Sequence, residues 1–169
     1  MRGPDIDLLF RYLYWMRDRV LDAAAAGGPE AFAATAKVNG RDLRHALVHE
    51  LDVEWSWRQR LHDAPPEAWG PDAELRVDDY PTVDALAAHW QSDETEMRAW
   101  IASLSDEDLE APWTAGRLEG FPLWYYLVHI VGHGIQQLTG AAANLSDAGH
   151  SPGDLDFLNA IDDSGSPTP

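Results

Sequence analysis

An all-α fold, a four-helix bundle with long connecting loops, is predicted by three features of this 169-residue chain. Four long segments carry apolar residues at three- and four-residue spacing, the signature of an amphipathic helix. No segment alternates apolar and polar residues as a half-buried strand would. The four segments are also similar in length, roughly 22 to 25 residues or about 33 to 38 Å, so their apolar stripes can cover one another.

The first helix is predicted from about Asp5 to Ala26. Ile6, Leu9, Leu13, Met16 and Val20 form its stripe, and Gly27-Gly28-Pro29 stops it. The second runs from about Arg41 to His62, with Leu43, Leu47, Leu51 and Leu61 near one face and Pro65-Pro66 ending it. The third runs from Thr82, a suitable N-cap, to about Leu104. Its stripe is Val83, Leu86, Trp90, Met97, Ile101 and Leu104. The fourth runs from Pro122, which suits a first helical turn, to Leu145, with Gly149 just beyond. Its stripe is Leu127, Val131, Ile135, Leu138 and Ala142.

Two long connections separate the helices. Ala64 to Pro81 is rich in Pro, Gly and Asp. Ser105 to Phe121 holds a short helical turn at Asp106 to Leu109, then a loop. Connections this long in a compact bundle often lie over a functional face. One domain is expected over residues 1–163, followed by a disordered Ser/Pro/Gly-rich tail over 164–169.

Composition narrows the function. A net charge of −17 repels phosphate backbones and anionic lipid, so neither nucleic acid nor a membrane is an expected partner. No apolar run approaches the roughly 20 residues that span a bilayer. Asp5, Asp7 and Arg11 interrupt any secretory layout at the start, so the expected location is cytoplasmic. The absence of cysteine excludes disulfides, thiolate ligands and a protein thiol nucleophile. The eight tryptophans are expected mostly in the core or an interface, with one or two left to line a pocket.

One constellation carries chemistry. His129 and His133 stand four residues apart on the fourth helix and share a face. His49, on the second helix, offers a third imidazole for a metal site with open positions. The next residue on the His129–His133 face is Gln137, whose amide oxygen is a weaker ligand. The repeat His129, His133, Gln137 drifts by about 40° per step at 3.6 residues per turn. His45 and His89 read as solvated, His62 as a helix end and His150 as a turn residue. Glu50 follows His49 as in the zinc-protease helix motif, but Val53 stands where that motif needs its second histidine. Glu54 is the carboxylate expected to orient an imidazole or a substrate group. There is no Gly-rich phosphate loop and no nucleophile elbow.

Three runs together resemble the DinB-like family. They are Leu43 to His49 with Glu54 and Trp57 beyond, Leu123 to Gly134, and Gly149-His150-Ser151-Pro152-Gly153-Asp154-Leu155-Asp156-Phe157. Leu104 to Leu109 lies between them, and the resemblance covers nearly the whole chain. It implies a four-helix bundle, often dimeric, so a homodimer is expected. It also implies a divalent metal, zinc or nickel by the imidazole ligands, held by one histidine of the second helix and two of the fourth. Relatives include thiol S-transferases and mycothiol-dependent maleylpyruvate isomerase, and others are taken for hydrolases. A metal-dependent transferase or hydrolase acting on a small-molecule substrate follows as the expectation. Any low-molecular-weight thiol would be a cosubstrate, because the chain has none of its own.

Carried over residue by residue, His49 matches the second-helix ligand and His133 the first ligand of the fourth helix. The second ligand of the fourth helix falls on Gln137. The arginine that commonly follows falls on Leu138, while Gln136 matches a frequent glutamine. His129 matches a histidine common one turn earlier. Three arrangements stay open: a metal on His49, His133 and Gln137; a metal on His49, His129 and His133; or a non-catalytic dimeric binding or stress-response protein whose metal site is degenerate.

Overall fold

The computed structural model describes residues 1–33, 42–62, 64–113 and 120–163. It is all-α, with helices α1 (Gly3–Phe32), α2 (Leu43–Leu61), α3 (Val83–Ser103), α4 (Asp106–Glu110), α5 (Leu123–Asp147) and α6 (Phe157–Asp163). No strand occurs among the described residues, where the only extended pairing is an isolated bridge between Pro112 and Pro122. The expected tail at 164–169 and the expected start of the second helix at Arg41 lie outside the described residues.

Local chemistry explains the helix ends. Asp42 caps α2 by accepting from the His45 amide, and Thr82 caps α3 by accepting from the Ala85 amide. Ser105 and Asp108 form a reciprocal capping box on α4. The expected stop of the first helix at Gly27-Gly28-Pro29 is corrected to a kink. Gly28 takes φ 75 and ψ −175, a conformation open to glycine, and Pro29 begins a further short turn ending at Phe32.

The first long connection is more ordered than a loop. Pro66–Ala68, Pro71–Ala73 and Val77–Asp79 each form one 3-10 turn. The unexpected α6 follows the Gly149-to-Phe157 run, which docks on α1. The Tyr12 hydroxyl donates to the Leu155 carbonyl at 2.8 Å, and Phe157 meets the Tyr12 ring edge-on at 5.1 Å. The Gly149-to-Phe157 run and α6 thereby close against α1.

The bundle consists of α1, α2, α3 and α5. α1 packs chiefly on α5 and α3, and α2 chiefly on α5, so α1 and α2 are diagonal although consecutive in the chain. The predicted stripes form the core: Ile6, Leu13, Met16, Val20, Leu47, Leu51, Leu86, Trp90, Met97, Leu127, Val131 and Leu138 are all buried.

A polar network runs through that core. Glu54, at 0% exposure, accepts from the Tyr14 hydroxyl at 2.5 Å and from the Trp90 indole N–H at 3.0 Å. It thereby joins the diagonal helices α1 and α2 to α3. Arg58 of α2 is paired with Asp93 of α3, both buried. Arg17 of α1 lies over the Tyr14 ring at 4.8 Å and reaches Glu94 of α3 at 2.5 Å. Burial outweighs the two donors and pushes the Glu54 pKa up to about 8.

Folding thus raises the Glu54 pKa from its ordinary value of 4.5, so its stabilising effect is complete below pH 4.5 and fades as pH rises towards 8. Glu54→Gln mimics the neutral acid, with its carbonyl accepting from Trp90 and its amide facing Tyr14. Urea unfolding across that range is expected to show wild type losing stability relative to Glu54→Gln, by on the order of a few kcal/mol. A difference that stays flat with pH refutes the assignment.

Candidate functional site

α2 and α5 face each other along a polar line. Glu50 follows Leu47 by three residues and precedes Leu51, so it shares the inward face of α2 and is 0% exposed. Its Oε2 lies 2.6 Å from Nδ1 of His133 on α5. Its Oε1 is buried without a hydrogen-bond partner among the described residues. Burial pushes the Glu50 carboxyl well above the usual range. A neutral acid tolerates an unpaired oxygen better than a carboxylate does.

Gly134 makes that contact possible. A Cβ built there would lie 2.4 Å from Leu13 Cδ1 and 2.7 Å from Glu50 Oε1. The absent side chain lets α5 approach both α1 and the buried acid.

The sequence-predicted imidazoles divide between two surroundings. His49 and His133 meet edge to face with ring centroids 5.5 Å apart. Two imidazoles on one tetrahedral zinc, at Zn–N of about 2.0–2.1 Å, keep their centroids about 5 to 5.5 Å apart, so this pair fits that geometry. His129 and His133 are 6.4 Å apart, outside that span. His129 instead meets Trp57 edge-on at 5.4 Å. Burial, then His133, lowers its pKa. The Gln137 amide nitrogen lies 3.4 Å from His133 Nε2, and an amide turned end for end presents its oxygen there.

Among the described residues no three His, Cys, Asp or Glu side chains converge to hold a metal. The side chains beside one another that could offer donors to a divalent cation are His49, His133 and the Gln137 amide.

Glu50, passed over in the sequence once the protease motif failed, is the acid whose side chain meets an imidazole, that of His133. Glu54, which was expected to do so, has both oxygens turned to Tyr14 and Trp90 in the core. The signal for Glu50 was its place beside Leu47 and Leu51. His89 is likewise corrected: it is half-buried, and its Nδ1 lies 2.6 Å from the Tyr80 hydroxyl. His45 is exposed and paired with Asp42 at 2.7 Å.

Two hollows flank the line. A pocket of about 260 Å³ is lined by His45, Val48, His49, Asp52, Glu74, Leu75 and Val77. The first long connection lies over that face of α2, pinned where the Leu75 amide donates to Asp52 at 2.8 Å. A second pocket of about 180 Å³ is lined by Trp57, Phe121, Tyr125, Tyr126 and His129. The second connection supplies Trp113, whose ring meets that of Tyr126 at 5.0 Å.

A helical bundle with a carboxylate-braced histidine pair between two of its helices is the class of protein these features define. The chain belongs to the DinB family, whose sequence model matches residues 3–165. No curated protein matches the sequence. No helix among the described residues is long and apolar enough to cross a membrane.

Gly134→Ala tests the close approach. In a helix this change ordinarily gains about 1 kcal/mol. Here the added methyl is expected to cost about 1 to 3 kcal/mol by overpacking against Leu13 and Glu50. Chemical denaturation reads the sign, and a stabilised variant would refute the packing.

Proposed function

We propose that the protein is a divalent-metal-dependent member of its family that acts on a small molecule, with the cation taken by His49, His133 and Gln137. The observation that carries this reading is the Glu50 contact to His133 Nδ1, together with the 5.5 Å spacing of His133 and His49. A carboxylate on the far nitrogen of a ligating histidine fixes its tautomer and strengthens it as a donor.

The proton between Glu50 Oε2 and His133 Nδ1 sets the state of the site. On Oε2 it leaves the other ring proton on Nε2, which then donates rather than ligates. On Nδ1, opposite a Glu50 carboxylate, it frees the Nε2 lone pair. His49 supplies the second nitrogen from the facing helix, and Gln137 the neutral oxygen. When bound, the cation would polarise a carbonyl or lower the pKa of a bound water or thiol. A thiol cosubstrate fits a chain without cysteine, so thiol transfer or hydrolysis is the reaction class. Two imidazoles and an amide make a weaker site than three imidazoles.

One observation favours a second reading, a binding protein without catalysis. Glu50, His133 and Gln137 already form a continuous polar chain between their own side chains.

Protein purified without a histidine tag is expected to take up Zn²⁺ or Ni²⁺ and to melt higher with it. His49→Ala and His133→Ala should abolish the shift. Glu50→Gln should weaken uptake by about 10- to 100-fold, and Gln137→His should tighten it. Less than about a tenth equivalent of metal, with no thermal shift, sinks the metal reading for the wild type. If Gln137→His alone then binds, the second reading holds.

A further inference from the structure

We infer that the hollow between Trp57 and the start of α5 is a binding site for a neutral aromatic small molecule carrying one hydrogen-bonding substituent, with its ring among Trp57, Phe121, Tyr125 and Tyr126 and its substituent at His129. The site stands whether or not a cation is held at His133.

Its shape is set by rings. Trp57 and Tyr126 face each other at 5.9 Å with 37° between their planes. Phe121 and Tyr125 stack at 5.6 Å and form the exposed rim, at 48% and 46% exposure. The volume is about 180 Å³, whereas a cavity of about 150 Å³ with apolar walls takes benzene. One ring with a small substituent therefore fits. Aromatic walls at tilted and edge-on angles suit a flat guest, which meets faces and edges at once.

Charge selects among such guests. Arg60 already lies over the Trp57 ring at 4.7 Å. That contact uses the quadrupole a cationic guest would need and sets a like charge beside it. The net charge of −17 disfavours an aromatic anion. A neutral phenol-like compound remains. His129 is the imidazole of the pocket lining, and it offers its hydroxyl a ring nitrogen.

Calorimetric titration of the untagged full chain in EDTA, with 4-methylphenol and then 4-methylanisole as probes, tests the assignment. Saturable one-to-one binding of both is expected, each displacing the other. His129→Ala should weaken the phenol about fivefold and leave the anisole unchanged. Trp57→Ala should weaken both about tenfold, while Trp15→Ala, against α6, changes neither. Should Trp57→Ala fail to fold, Phe121→Ser at the exposed rim is expected to weaken both with helicity intact. Absence of saturable binding overturns the inference, as does binding indifferent to Trp57 and Phe121. An equal effect of His129→Ala on both probes overturns it too. So does Phe121→Ser changing the oligomeric state of a chain that binds neither probe, which would make the rim a contact between copies.

Discussion

The Glu50 carboxyl is removed from water, and one of its oxygens lies against His133 on the facing helix. A buried carboxyl costs several kcal/mol unless it is bonded or neutral. α2 and α5 are therefore held at one separation and one rotation, and Gly134 is the residue that lets them reach it. The same rotation brings His49 to the edge of His133. Sliding α5 by one turn would strand Glu50 and part the histidines together, so the pairing and the acid depend on one contact.

Glu50 is the first of three polar residues at four-residue steps on the inward face of α2. Each is taken by a different part of the bundle: Glu50 by α5, Glu54 by α1 and α3, Arg58 by α3. α2 thus carries a polar seam along its inward face. Such a seam stabilises little against a hydrophobic one, because desolvation offsets most of the gain. What it adds is uniqueness, since no other register satisfies all three groups. Glu54 and Tyr14 also tie the diagonal pair α1 and α2, which share little other packing.

This seam explains what was legible in the sequence. Apolar spacing located the four long helices to within a few residues apart from the kinked end of the first, and Thr82 located the start of the third, because these signals are local. The facing of His49 and His133 was reached through family resemblance, since periodicity places residues on a face but does not say which helix that face meets. Glu50 was set aside with the protease motif, and Glu54 was assigned to the site rather than to the core, for the same reason. Acids and arginines at four-residue spacing look like a solvated ion-pair face until their partners on other helices are known. The kink at Gly28 was mistaken for an end, because glycine and proline interrupt a helix with the same residues that stop one.

The drift of the His129, His133, Gln137 stripe decides how the remaining residues divide. A helix turns by about 40° over four residues beyond a full turn, so residues on a nominal single face look in directions about 80° apart across two steps. His133, in the middle, points at Glu50 and His49. His129, one step back, falls on Trp57 and the aromatic pocket. Gln137, one step on, lies beside Nε2 of His133. The three therefore do not act as one ligand row. A second histidine at 137 would have completed a cation site around His133; an amide there leaves a weak donor or a hydrogen bond. The His129 ring instead meets Trp57 at 5.4 Å and stands 6.4 Å from that of His133. In the proposed cation site the residue at 137 would set the strength of binding, whereas His129 belongs to the aromatic pocket beside it.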